Sequence, residues 1–422
     1  MKTKQYFLLP ALLFALAGCS NVSIKSDLSL SDDSTSKYGG EGYSTDPSYG
    51  FEGDVSEGGY VGETGTPSGE ETNTNEPQRE SGQLTCSALD DNAHYDFWKS
   101  LATSNQEGEG QFQEYKENFA FNTFNRLDLT INNGTNVTVK VKGDTFATKV
   151  DNLHKAYLFP QTEKEEYEVE ISYIDSTSQA KTIEKVVQDG DIIDLEDEFV
   201  ISNNLEIMFV IDATGSMGDE MEYIKAEIDD VISQVKEKNA QANITLAMMV
   251  YRDKGDDYIT KYSDFTSDIS AQQEWLKKQR AEGGGDFEEA VQTALDEAIN
   301  KQWSSQSTKL LFHVADAPAH DKDVTSWNQT ALLAARKGIK IITVASSGIN
   351  LKTEYFFRSQ SLLTSGQYVY LTNDSGIGGD HLEATTEDKL VVEYLNECLV
   401  RLINGYYSGT FTQPISWKQS QQ

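Results

Sequence analysis

Two different periods of apolar residues run along this chain. From Arg126 to about Ile193, apolar and polar positions alternate with period two, as in LDLTINN, NVTVKVKGD, HKAYLFPQ, EYEVEISYI and KTIEKVVQ. Short alternating runs separated by NNGTN, KGD and QDGD turns predict an antiparallel β-sandwich. From Leu205 onward the pattern changes. Continuous apolar runs (LEIMFVI, ITLAMMVY, KLLFHVA, IKIITVA, YVYL) alternate with amphipathic stretches at 219–238, 269–280, 287–301, 327–337, 353–364 and 386–404. Runs apolar on both faces and separated by helices predict a mostly parallel sheet covered on either side, a doubly wound α/β domain. YITKYSD, 258–264, follows its predecessor without a helix and is therefore expected as an antiparallel edge strand.

Before these patterns begin, the chain is neither helical nor strand-like. Residues 20–82 hold thirteen acidic side chains against three basic ones, with many Gly, Ser and Thr. Such a stretch buries too little apolar surface to offset chain entropy and is expected as a solvated tether. An aromatic cluster, His94, Tyr95, Phe97 and Trp98, marks the return of order. At the N-terminus, MKTKQYFLLPALLFALAGCS has two lysines ahead of an apolar stretch too short to span a bilayer, the form of a secretory signal. The expected organisation is a signal at 1–18 and a tether at 19–83. A sandwich at 84–200 includes the aromatic segment, an α/β domain at 201–405 includes a C-terminal helix, and a tail occupies 406–422.

Charge narrows the partners. With 68 acidic and 35 basic residues the net charge is −33, which argues against nucleic acid and anionic surfaces. Cys86 and Cys398 form an even pair, suggesting one disulfide in an oxidising compartment. The alternative is a buried free thiol, because Cys398 lies on the apolar face of Val391, Tyr394, Leu395 and Leu402.

The chemistry concentrates in three loops. In an open parallel sheet, ligands gather beyond the carboxyl ends of the strands where strand order reverses. LEIMFVI ends on Asp212-Ala213-Thr214-Gly215-Ser216, KLLFHVA ends on Asp316-Ala317-Pro318-Ala319-His320, and Gly283-Gly284-Gly285-Asp286 opens a helix candidate. Alternate oxygens on a tight loop suit a hard divalent cation. His313 lies inside an apolar strand and reads as a core residue. Ser216 has no histidine base beside it, so a nucleophilic triad is not expected. No G-x-x-x-x-G-K-[ST] loop occurs, and the second aspartate that a haloacid-dehalogenase phosphatase needs is Thr214 here.

Asp212, Thr214, Ser216 and Asp316, over about 170 residues of matching pattern, resemble the von Willebrand factor type A domain. The resemblance implies a metal-ion-dependent adhesion site holding Mg²⁺, or Mn²⁺ or Ca²⁺, on Asp212, Thr214, Ser216 and Asp316. It places Asp286 where many members carry threonine. Asp286 is then a direct ligand, a group acting through water, or a helix cap. Arg252, Asp253 and His320 are expected on the same rim, Arg252 offsetting the acidic charge. GGGDFEEA and YRD resemble bacterial and kinase-associated type A domains rather than integrins. Leu16-Ala17-Gly18-Cys19 resembles the bacterial lipobox, implying lipid on Cys19, membrane anchoring and, with Ser20 next, the outer membrane. Residues 144–160 faintly resemble the carboxypeptidase regulatory sandwiches. The expectation is a lipid-anchored binding protein that captures an acidic residue of a protein ligand through the metal. A metal-dependent phosphoryl-transfer or hydrolytic enzyme at the same rim, and a purely structural envelope component, are the alternatives.

Overall fold

The computed structural model describes residues 79–103, 110–119, 121–196, 202–387 and 389–421. The signal, the lipidation residue Cys19 and the tether up to residue 78 lie outside the described residues. In chain order the elements begin with β1 (Thr85–Leu89), α1 (Tyr95–Ser100) and α2 (Gln113–Asn118). Seven short strands follow: β2 (Leu127–Asn132), β3 (Thr135–Val141), β4 (Ala147–Lys149), β5 (Lys155–Leu158), β6 (Tyr167–Ile174), β7 (Ala180–Val187) and β8 (Ile192–Asp194). Then come β9 (Asn204–Asp212), α3 (Met221–Lys238), β10 (Asn243–Tyr251), β11 (Thr260–Thr266), α4 (Ile269–Lys277) and α5 (Val291–Ile299). Next are β12 (Thr308–Ala315), α6 (Val324–Lys337), β13 (Ile339–Ala345), α7 (Leu351–Leu363) and β14 (Tyr368–Leu371). The described chain finishes with β15 (Glu393–Tyr394), α8 (Leu395–Ser408) and α9 (Trp417–Ser420).

The main sheet has the order β11-β10-β9-β12-β13-β14-β1-β15. Strands β10, β9, β12, β13 and β14 run parallel, and β11 pairs antiparallel with β10 at the edge, as its position in the sequence predicted. Every residue of β9 from Leu205 to Asp212 is buried, because both sheet faces are covered. One apolar layer places Ile207, Phe209 and Ile211 with Ile224, Ile228 and Val231 of α3 and Leu399, Leu402 and Ile403 of α8. The other gathers Met208 and Val210 with residues of α5, α6 and α7 and continues into the core of the smaller sheets. Those smaller sheets, β5-β2-β8 and β4-β3-β6-β7, form the sandwich. It is not wholly antiparallel: β2 and β8 pair in parallel, Ile131 opposite Ile193.

Several expected boundaries shift. Thr85–Leu89 does not begin the sandwich but enters the main sheet, antiparallel to both β14 and β15. Its hydrogen-bonding groups are satisfied there, and the backbone N–H groups of Gly82, Gln83 and Leu84 donate to the Glu227 carboxylate of α3 at 2.8–3.0 Å. The end of the expected tether is therefore held on the α/β body. The aromatic cluster follows it: Trp98 stacks on Tyr355 of α7, with ring centroids 6.1 Å apart. The last long helix begins at Leu395 rather than 386, because β15 occupies its expected start, and it runs on to Ser408. The tail is also held, with Trp417 N–H donating to the Val392 carbonyl at 2.9 Å.

The expected disulfide is absent. Cys86 and Cys398 are free thiols, both buried and in contact, with burial first and the neighbouring thiol second pushing Cys86 well above its ordinary value. The apolar face of α8 brings Cys398 onto β1, so it was the alternative reading of Cys398 that held. Among the described residues no helix is long and apolar enough to cross a membrane.

Candidate metal centre

Strand order reverses about β9: β10 lies on one side and β12 on the other, and all three present their carboxyl ends to one edge. Asp212 closes β9 opposite Tyr251, the last residue of β10. Asp316 directly follows β12. Main-chain bonds then join the loops. Ala213 N–H donates to the Tyr251 carbonyl, Gly215 N–H to Gly283, Glu282 N–H to Ala213, and Glu289 N–H to Pro318, all at 2.8–3.0 Å.

Within this frame Asp212 Oδ1 accepts from both Thr214 N–H (2.9 Å) and the Thr214 hydroxyl (2.7 Å). The Thr214 and Ser216 hydroxyls are 3.2 Å apart. Asp212, Thr214 and Asp316 are buried, whereas Ser216 is exposed and forms the open lip. Burial pushes Asp212 above the usual carboxylate range, and the charge of Asp316 adds to it. Burial also raises Asp316, against the pull of the Ser216 hydroxyl.

The third carboxylate at this site is one that the sequence reading missed. Glu289 is buried, and a Cβ placed on Gly284 would stand 3.1 Å from its Oε1 and 3.3 Å from Thr214 Cβ. Glu289 therefore reaches the Asp212–Thr214 loop from the middle loop. Its carboxyl is raised to about 9, by burial first and then by the charges of Asp212, Asp253, Asp316 and Asp256. Asp212 Oδ2, Asp316 Oδ1 and Glu289 Oε2 are all buried without a hydrogen-bond partner among the described residues. Buried carboxylate oxygens normally have partners, and an unpaired one is costly. Three such oxygens beside two hydroxyls form an oxygen-only donor set that fits a hard divalent cation. Asp212, Asp316 and Glu289, with Thr214 and Ser216, would hold it.

The helix expected at 287 begins at Val291, and Glu289 instead forms a strand-like bridge with Ala319. This is why Glu289 reached the site unnoticed. The signal available was a third carboxylate in GGGDFEEA, directly ahead of the apolar run Ala290-Val291. Asp286 neither caps that helix nor hydrogen-bonds to the Asp212 loop. It is exposed and groups with Asp253 and His320. Arg252 is buried, and its hydrogen bonds go to carbonyls and Glu282 rather than to Asp212, Asp316 or Glu289. Its Nε donates to the Ala213 carbonyl at 3.1 Å, and Nη2 reaches the Arg280 carbonyl and Glu282. It braces the loops from the side. His313 is a core residue as expected, held neutral by burial, with Nε2 3.0 Å from the Tyr251 hydroxyl.

Gly284 adopts φ +77° and lies against both Thr214 and Glu289. Gly284→Ala combines a strained left-handed backbone, about 1–2 kcal/mol, with displacement of a ligand side chain. The expected result is at least tenfold weaker Mg²⁺ binding by calorimetry with a modest loss of stability. Gly143→Ala, whose φ is +81° with nothing within 4 Å of the added carbon, serves as the control that carries strain alone.

A parallel sheet reversing at β9, with these oxygens at its carboxyl edge, defines an α/β domain whose loops gather acidic and hydroxyl groups at that edge. Residues 206–385 match the von Willebrand factor A domain. This stretch is such a domain, a protein-interaction domain often dependent on metal. The chain is 28% identical over 170 residues to the alpha-protein kinase vwkA of Dictyostelium discoideum, covering 40% of this chain and 27% of the kinase. It is 25% identical over 226 residues to an ariadne-like RING finger protein, R811, of Acanthamoeba polyphaga mimivirus, covering 49% and 21%. The chain thus spans well under a third of the length of either curated relative. Among solved structures, an aerotolerance-related membrane protein from Bacteroides fragilis matches at 14% identity, 47% of this chain, 98% of that chain and a TM-score of 0.30. BatB from Bacteroides thetaiotaomicron matches at 15% identity, 51%, 93% and 0.28.

Proposed function

We propose that this chain is a non-enzymatic, metal-dependent protein-binding module. Its cation, Mg²⁺ or Mn²⁺, is held by Asp212, Thr214, Ser216, Asp316 and Glu289 and takes an acidic side chain of a partner. The observation that carries this reading is the trio of unpartnered carboxylate oxygens beneath an exposed Ser216. Oxygen donors supply the affinity, and the open lip leaves room for a ligand from outside. Asp212 and Asp316 alone would balance a divalent charge. Glu289 makes the set electron-rich, so it is the chain's own carboxylate with which an incoming acid competes. The N-terminal signal and Cys19 support placement on the bacterial envelope through lipid, with the outer membrane favoured by Ser20.

The test is retention of envelope proteins on the immobilised chain with Mn²⁺, with chelator, and with the Asp212→Ala and Glu289→Gln variants. The expected result is metal-dependent retention that Asp212→Ala and chelator remove and Glu289→Gln strengthens. Retention indifferent to chelator overturns the reading. Metal-dependent turnover of generic phosphoesters, lost in Asp212→Ala, would replace it with an enzyme. Metal that raises thermal stability without changing retention would leave a structural component.

A further inference from the structure

Beside the first site, three segments bring together Asp253, Asp286 and His320. One donor atom from each lies within 4.8 Å of the others. Asp253 follows β10, Asp286 closes the glycine loop, and His320 ends the loop after β12. The carriers of these groups are tied to one another by bonds that main-chain N–H groups donate to a carboxylate and to main-chain carbonyls. Asp256 Oδ2 accepts from Gly284 N–H at 2.9 Å and Asp253 N–H at 3.2 Å, joining the first two segments. The Glu289–Pro318 bond and the Glu289–Ala319 bridge join the second to the third. His320 Nε2 lies 2.8 Å from Asp253 Oδ1, with side chains only 15% and 11% exposed.

The surrounding cations are engaged elsewhere. Lys254 pairs with Asp323 at 2.7 Å, and Lys352 with Asp321 and Glu288 at 2.5 and 3.1 Å. Arg252 faces carbonyls and Glu282. No lysine or arginine pairs with Asp253 or Asp286 among the described residues.

We propose that Asp253, Asp286 and His320 form a second divalent-cation site, separate from the oxygen-only site at Asp212. An imidazole nitrogen with two carboxylates suits ions of the Mn²⁺ and Zn²⁺ type and disfavours Mg²⁺ and Ca²⁺. The two sites thus differ in donor chemistry: hard oxygen at one, mixed nitrogen and oxygen at the other. His320 exchanges its bond to Asp253 for the metal, and Asp286, which makes no hydrogen bond among the described residues, has none of these to break. This inference does not depend on capture of an acidic partner at the first site.

The test is Mn²⁺ binding to the purified, metal-stripped full chain, followed by calorimetry and by pulsed electron paramagnetic resonance for ¹⁴N coupling to bound Mn²⁺. Two Mn²⁺ per chain are expected, one of them coupled to a histidine nitrogen. His320→Gln and Asp286→Asn each lower the count to one and remove the nitrogen coupling. Asp212→Asn lowers the count to one and keeps it. The exposure of Asp286 makes its variant the one that tests binding without a burden on folding. A single Mn²⁺ in the unaltered chain overturns the proposal, as does nitrogen coupling that survives His320→Gln, or a second ion insensitive to both variants. Loss of the second ion with the first retained leaves the Asp212 site standing, so the two readings fail separately.

Discussion

Glu289→Gln raises the thermal midpoint of the metal-free protein at pH 8, and saturating Mn²⁺ raises the midpoint of the parent more than that of the variant. In the folded chain the Glu289 carboxyl titrates at about 9 because it is buried among other carboxylates, whereas an unfolded glutamate titrates near its ordinary value of about 4.3. Between those values the folded state binds more protons than the unfolded state, so stability falls as pH rises, by about 1.4 kcal/mol per unit for one such group. From pH 5.5 to 8 this amounts to about 3 kcal/mol as an upper figure, equivalent to a midpoint shift of roughly 5 °C. The amide removes that slope without removing bulk. Asp212 and Asp316, raised in the same direction, leave a residual slope in the variant. Cation binding narrows the difference, since an ion at a hundred times its dissociation constant adds about 2.7 kcal/mol to the parent, and the variant, having lost a ligand, gains less. Scanning calorimetry from pH 5.5 to 8, with chelator and with Mn²⁺, checks both halves. Equal pH slopes in the two metal-free proteins would show that Glu289 is not held in that field.

Arg358→Met unfolds at markedly lower urea than the parent. Arg358 is fully buried on α7. Its guanidinium meets Asp91 with two nitrogens at 2.5 and 3.0 Å, and reaches Glu354 at 2.8 Å and the Thr385 carbonyl at 3.0 Å. Its charge also lies over the Trp98 and Phe112 rings, 5.3 and 5.6 Å from their centroids. Methionine keeps much of the volume but strands two carboxylates in the core, with Asp91 only 3% exposed and Glu354 not at all. Removing one partner of such a network costs about 3–5 kcal/mol. The triple variant Asp91→Asn, Glu354→Gln, Arg358→Met recovers part of that loss, because no buried charge is then left unpaired. If the single variant loses less than 1 kcal/mol, Arg358 does not join the N-terminal segment to α7 energetically.

The alternation of apolar runs with helices made the parallel sheet legible, because a strand buried on both faces leaves few polar positions. The loops ending in Asp212 and Asp316 were legible for a related reason: a strand that only fills a core does not end in alternating oxygens. Glu289 was not, since its segment has a helical pattern while its backbone bridges Ala319, a pairing set by a loop thirty residues on. The place of Thr85–Leu89 was hidden in the same way. Five apolar-leaning residues ahead of a sandwich pattern look like its first strand, and only tertiary pairing with Tyr368–Leu371 assigns them elsewhere. Arg252 follows β10 at the same edge of the sheet, but where a long side chain points depends on the carbonyls around it rather than on its position in the sequence.

The insertion of β1 between β14 and β15 also bears on biosynthesis. The Thr85 and Thr372 hydroxyls meet at 2.7 Å across 287 positions of sequence. Joining such distant segments carries a large loop-closure cost and slows folding. A ribosome must therefore release the chain as far as Tyr394 before its early strand finds both neighbours. Until then Thr85–Leu89 remains an unpaired, mostly apolar segment available to holdase chaperones.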